Sequence, residues 1–146
     1  MLIPFGILSA AGAGVVAGDY ELISTTVLGG TAASVTFSNL GDYSTTYKHL
    51  QIRAVARSNR AGIDRDLLYA RLNGDTGNNY GAHYLVGAGN AVLSGRSIPT
   101  SVFELLAYLP AATSTSGEFG AYVLDLLDAY STTKNKTMRA LSNGTL

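Results

Sequence analysis

Any catalytic or metal site in this chain has to be built from two histidines, ten carboxylates and no cysteine. His49 stands beside Lys48, and His83 sits in “NYGAHYL”; neither has a second histidine at a ligand spacing such as His-x-x-x-His. Both read as surface or cross-strand histidines. Ser9 and the Ser94-Gly95-Arg96-Ser97 stretch lack the Gly-x-Ser-x-Gly setting that exposes a nucleophilic serine on a sharp turn. Carboxylates pair at Asp64 and Asp66, around Arg65, and at Asp125 and Asp128. The first pair reads as solvated ion pairing. Asp125, among Leu124, Leu126 and Leu127, predicts a salt bridge across an interface or an outward-facing acid. No nucleophile, base and orienting group come together, so the expectation is a protein that is not an enzyme and takes no cofactor.

The densest polar stretch is “NGDTGNNY”, residues 73–80. Asp75 with the oxygens of Asn73, Thr76 or Asn78 is a set that a hard cation would accept, but calcium loops offer several carboxylates and this one has a single acid. As a turn, Asn73-Gly74 supplies positive φ, Asp75 caps backbone amides and Gly77 permits a second reversal. As a sugar site, Tyr69, Tyr80 and Tyr84 would stack on pyranose faces beside Asp75, Asn78 and Asn79. The lack of tryptophan counts against that last reading. The turn reading is preferred, and a glycan-binding module is the alternative function.

Arginine concentrates in “RAVARSNRAGIDR” at Arg53, Arg57, Arg60 and Arg65. Asp64 and Asp66 interrupt the stretch, and positive and negative residues balance at ten each, so nucleic acid is not an expected partner. Bidentate pairing with carboxylates of a neighbouring subunit is the expected use.

The elements that must carry these residues are short strands. “YELISTTVL” (residues 20–28) is rich in β-branched residues, and “ASVTF” (33–37) alternates. “KHLQIRAVAR” puts Leu50, Ile52, Ala54 and Ala56 on one face. “DLLYARL” puts Leu68, Ala70 and Leu72 on one face, with Tyr69 and Arg71 on the other. A strand-like run follows the 73–80 corner; “SVFELLAYL”, the doubly apolar “EFGAYVLDLLDAY” and “NKTMRAL” complete the series. Seven or eight such strands with Gly, Ser and Asn turns predict an all-β chain of β-sandwich or jelly-roll type.

Residues 1–18 carry no charge and are broken by Pro4 and glycines, which makes them a poor secretory signal and too short a membrane span. They read as an apolar anchoring arm, with Leu2, Ile3, Phe5, Ile7 and Leu8 docking on other proteins, ahead of a β-domain at 19–146. Charged residues are only 14% of the chain, which fits burial in an assembly. At the other end, Ser142-Asn143-Gly144 reads as a hairpin turn after a strand at 135–141. With no second strand following, the domain is expected to be incomplete, or completed by a neighbour.

The order “MLIPFGILSAAGAG”, “YELISTTVLGGTAASVTFSNL”, “YKHLQIRAVAR”, “RLNGDTGNNYGAHYL” resembles virion structural proteins of tailed bacteriophages, of the marine and cyanobacterial phage type called tail-fibre, head-fibre or structural proteins. The likeness runs from Tyr20 to about Leu141, and its most specific part is “KHLQIRA” followed by “RLNGDTGNNY”. It implies a β-sandwich component of the virion, a fibre, fibre anchor or capsid decoration protein. The uncharged residues 1–18, the low total charge and the strand apolar on both faces from Phe119 to Leu127 lead to the expectation that the arm docks on capsid, neck or tail proteins and the β-domain forms a homo-oligomer, favoured as a trimer. The resemblance supplies no catalytic residue and no membrane partner; a host-surface glycan remains the alternative ligand.

Overall fold

The structure, a computed structural model, describes residues 20–88 and 90–143. The arm residues Leu2, Ile3, Phe5, Ile7 and Leu8 lie outside them. The chain divides into two units, Met1–Phe37 and Ser38–Leu146. In the first, residues 20–37 form neither helix nor strand, although the composition of 20–28 and 33–37 predicts strands. β-Branched residues fit a pleated, half-buried surface, but a strand exists only where another backbone offers the ladder.

The second unit is nearly all β. After a 3-10 turn at Leu40–Tyr43 come β1 (Leu50–Ala56), β2 (Arg65–Ala70), β3 (Tyr80–Ala88), β4 (Ala91–Thr100), β5 (Phe103–Pro110), β6 (Gly120–Leu127) and β7 (Thr137–Asn143). They form three antiparallel sheets, ordered β1-β6-β7, β2-β5 and β3-β4. The doubly apolar segment is β6, and its sequence fits its place between two hydrogen-bonded neighbours. Its inner face is Gly120, Tyr122 and Leu124, each buried, opposite Ala56, Ala54 and Ile52 of β1. The outer face carries Ala121, Val123 and Asp125. Between β2 and β5 in sequence, β3 and β4 make their own hairpin, whose second strand has no clean alternation and is not apparent in the sequence.

Tyr122 centres the packing. Its ring clusters with Leu109, and Ala54, Ala56, Leu68 and Leu105 pack around them, so β1, β6, β2 and β5 share one apolar cluster. The buried hydroxyl donates to Tyr108 O at 2.8 Å. Burial pushes its pKa up to about 12. Tyr122 also lies over Gly120, two residues earlier on the same face, where any Cβ would collide with the ring. At the end of β1, Arg57 leaves the sheet and its guanidinium donates to four carbonyls, Ala111 O (2.7 Å), Ser114 O (2.9 Å), Thr115 O (2.7 Å) and Glu118 O (3.0 Å). One side chain therefore holds the whole β5–β6 connection. Ser58 N to Pro110 O and Ala111 N to Asp64 O tie the same loop to the β1 and β2 ends.

The last strand differs from its expected bounds. β7 begins at Thr137 and continues through Ser142 and Asn143, which stay extended and pair with Tyr122 and Ala121 instead of turning. Pairing with β6 holds Ser142 and Asn143 extended.

Candidate functional site

Residues 73–80 form the corner between β2 and β3. Asn73 (φ 52°) and Gly74 (φ 69°) are both left-handed, as an Asn-Gly pair allows at low cost, and Asp75 N closes the turn on Leu72 O at 3.0 Å. The Asp75 carboxylate accepts from Asn79 Nδ2 at 3.0 and 3.2 Å and from Gly77 N at 2.8 Å. These donors, Asn79 first and then the Gly77 amide, hold its pKa below the usual carboxylate range. The Tyr80 hydroxyl donates to Asp75 O at 3.2 Å and accepts from Leu72 N at 3.3 Å. Its ring meets Phe103 edge-on, 4.7 Å between centroids. Each polar group named here is thus turned inward on the corner itself.

Of the candidate sugar contacts, the corner brings together Asp75, Asn79 and Tyr80. Tyr80 is only 7% exposed, so its ring offers no stacking face, and the side chains of Asp75 and Asn79 are bonded to each other. Asn78 is exposed beside them. Tyr69 lies on β2, where it is 49% exposed. Tyr84 lies on β3 opposite Gly95, with its ring over that glycine. Among the described residues no three of His, Asp and Glu converge on a place for a metal ion. No helix among them is long and apolar enough to cross a membrane.

The charged residues find partners within the chain, where the sequence pointed to a neighbour. Asp125 takes Gln51 Nε2 at 2.7 Å from β1 and Arg139 Nη2 at 2.7 Å from β7, residues that the register sets directly opposite. The Gln51 bond and then Arg139 depress its pKa. The acid does face outward, but its salt bridge is a cross-strand ladder within one sheet. Asp66 accepts from Ser58 and Arg60. Partial burial pushes its pKa up, and the bonds from Ser58, the Leu67 amide and Arg60 more than offset this, leaving it depressed. Arg65 pairs with Asp64 at 3.4 Å and lies 5.6 Å from the Tyr108 ring centre. His49 Nδ1 accepts from Asp128 N at 3.0 Å, and Lys134 bridges to the Asp128 carboxylate at 2.9 Å. The four-carbonyl role of Arg57 has no signal in the sequence, because its acceptors are backbone atoms 54 to 61 residues away.

Two stretches of the exposed surface are apolar. On the outer face of β1-β6-β7, Val55, Ala121, Val123 and Leu141 line a groove of about 530 Å³ with Arg53 at its side. Val55 and Leu141 are 73% and 74% exposed. The hairpin β3-β4 likewise exposes Leu85, Val92, Leu93 and Ile98. Ser142 and Asn143 also line the groove, and such a largely apolar face can bury against protein. No family model matches the chain, and neither a curated protein nor a solved structure matches it.

Proposed function

We propose that this chain is a non-enzymatic structural subunit that completes its β-structure against other chains, and that its place is a bacteriophage virion, as a fibre, fibre-anchor or capsid-decoration component. The observation that carries the subunit reading is the size of the core. Among the described residues the buried apolar side chains are Tyr80, Leu109, Ala111, Tyr122 and Leu124, with Pro110, while Val55, Leu85, Val92, Leu93, Phe119 and Leu141 remain exposed. So small a set of buried apolar side chains among the described strands leaves much apolar surface for neighbours to cover. The shared cluster of β1-β6-β7 with β2-β5 supports reading these two sheets as layers of a sandwich that neighbours extend.

The virion part rests on the resemblance carried by “KHLQIRA” and “RLNGDTGNNY”, and assembly with neighbours, favoured as a homotrimer, on the low charge and the doubly apolar 119–127 segment. The glycan-binding alternative has less support, because the tyrosine at the centre of that constellation, Tyr80, is inside. Light scattering and native mass spectrometry of the full chain test the subunit reading. A discrete multiple of 15.2 kDa at micromolar concentration is expected; a stable, cooperatively unfolding monomer overturns it. Proteomics of purified particles tests the virion reading, with stoichiometric presence expected and absence from the particles decisive against it.

A further inference from the structure

Basic and acidic residues balance over the whole chain, but its three lysines are not spread evenly. Lys48 stands two residues before β1, and Lys134 and Lys136 stand just before β7. The register sets the start of β1 and the start of β7 on either side of the end of β6, with Leu50 opposite Leu126 and Thr137 opposite Leu127. All three lysines therefore arrive at one end of this sheet, around Asp128. We propose that this end is a binding site for an oxyanion, a phosphate group either free or carried on a small organic ligand. The site stands apart from the subunit reading and does not depend on it.

A cavity of about 180 Å³ opens there, lined by Ser44, Tyr47, Lys48, Asp128, Tyr130 and Ser131. It is far larger than a single water requires. Its walls are fixed by contacts between the two loops. The Tyr130 hydroxyl donates to Leu40 O at 2.6 Å, and Ala129 N donates to Lys48 O at 2.8 Å. The Tyr43 ring stacks on that of Tyr47, 6.3 Å between centroids. Lys136 Nζ donates to the carbonyls of Asp128 and Ser131 and so holds the turn that carries both.

Charge decides what such a cavity takes. The two loops, 38–49 and 128–136, carry three lysines and His49 against Asp42 and Asp128. Asp128 is the one acid in the lining, and its carboxylate is bridged to Lys134 at 2.9 Å. The bond and charge of Lys134, and beyond them the charges of His49 and Lys48, hold its pKa below the usual carboxylate range. Lys48 is exposed, and among the described residues its ammonium makes no ion pair or hydrogen bond; the Ser44 hydroxyl has no partner among them either. An ammonium offers three donors and no acceptor, and a phosphate oxygen is the strong acceptor it lacks. Lys134 and Lys136 thus shape the site, while Lys48 and Ser44 are left to contact the anion. The Tyr47 and Tyr130 rings give a carrier of the phosphate an apolar wall.

Titration of the isotopically labelled full chain with sodium phosphate at constant ionic strength, followed by amide chemical shifts, tests the site. Saturable shifts are expected at residues 44–48 and 128–131, with acetate binding more weakly because it carries a single charge. Lys48→Gln is expected to weaken phosphate binding about tenfold or more. Lys48→Arg retains the binding, and Arg96→Ala, on exposed β4, leaves it unchanged. Because Lys48 is exposed and unbonded, these variants keep the fold, which the unshifted remainder of the spectrum verifies. Glucose 6-phosphate separates the two sources: tighter binding than phosphate shows a carried group, and equal or weaker binding a free anion. Shifts that never saturate, that acetate reproduces at the same concentration, or that Lys48→Gln leaves intact overturn the proposal.

Discussion

The β1-β6 and β2-β5 ladders and the β3-β4 hairpin are built from similar strands but differ in what surrounds them. Around Tyr122 and Arg57, strands from two sheets share one apolar cluster, and a guanidinium collects the carbonyls of the crossing loop. In the hairpin, Leu85 is 76% and Val92 72% exposed, and among the described residues its strands form a sheet of two. A two-stranded ribbon of that kind is marginal in water by itself. The contrast separates a part that shares an apolar cluster between two sheets from a hairpin whose apolar side chains are mostly exposed.

Substitutions sharpen that contrast by their size. Tyr122→Ala removes the central ring and its bond to Tyr108 O, and a loss of about 3–5 kcal/mol is expected in denaturant unfolding. Gly120→Ala acts on the same place by displacing the ring, with the same direction of effect. Arg57→Ala leaves four carbonyls without their charged donor. A loss of about 2–3 kcal/mol is expected, and Arg57→Lys does not restore it because an ammonium lacks the planar fork.

Acid provides an intermediate test. Asp66, Asp75, Asp125 and Asp128 all have depressed pKa values in the folded chain, so the folded state binds fewer protons than the unfolded state near pH 4. Their contribution is present above the unfolded pKa and is lost as pH falls through the folded values. The urea midpoint is expected to decline below about pH 4, and Asp125→Asn to shallow that decline at the cost of lower stability at neutral pH. A midpoint flat from pH 6 to pH 2 contradicts the ladder. The smallest effect belongs to the hairpin: Leu85→Ser is expected to change chain stability by less than about 0.5 kcal/mol. A loss as large as that of Tyr122→Ala would show the hairpin to be packed within its own chain.

Much of the second unit is legible in the chain's periodicity. Leu50, Ile52, Ala54 and Ala56 share a face as their alternation requires, and the doubly apolar segment is the middle strand. The Asn73-Gly74 corner follows from positive φ, a property those two residues carry with them. β4 escaped because Ser94, Gly95 and Pro99 interrupt its pattern, and it holds its form through pairing with β3. Residues 20–28 and 33–37 mislead in the opposite direction, since composition can favour a strand but cannot provide the second backbone.

Sequence alone determined the β class, the Asn73-Gly74 corner and the absence of thiol chemistry, because these depend on side-chain alternation, local backbone freedom and composition. Which charges pair was decided only by tertiary structure. Asp125 finds Gln51 and Arg139 through strand register, and Arg57 finds four carbonyls through the path of a distant loop. Both depend on residues far apart in the chain arriving at one place, and local pattern carries no information about that arrival.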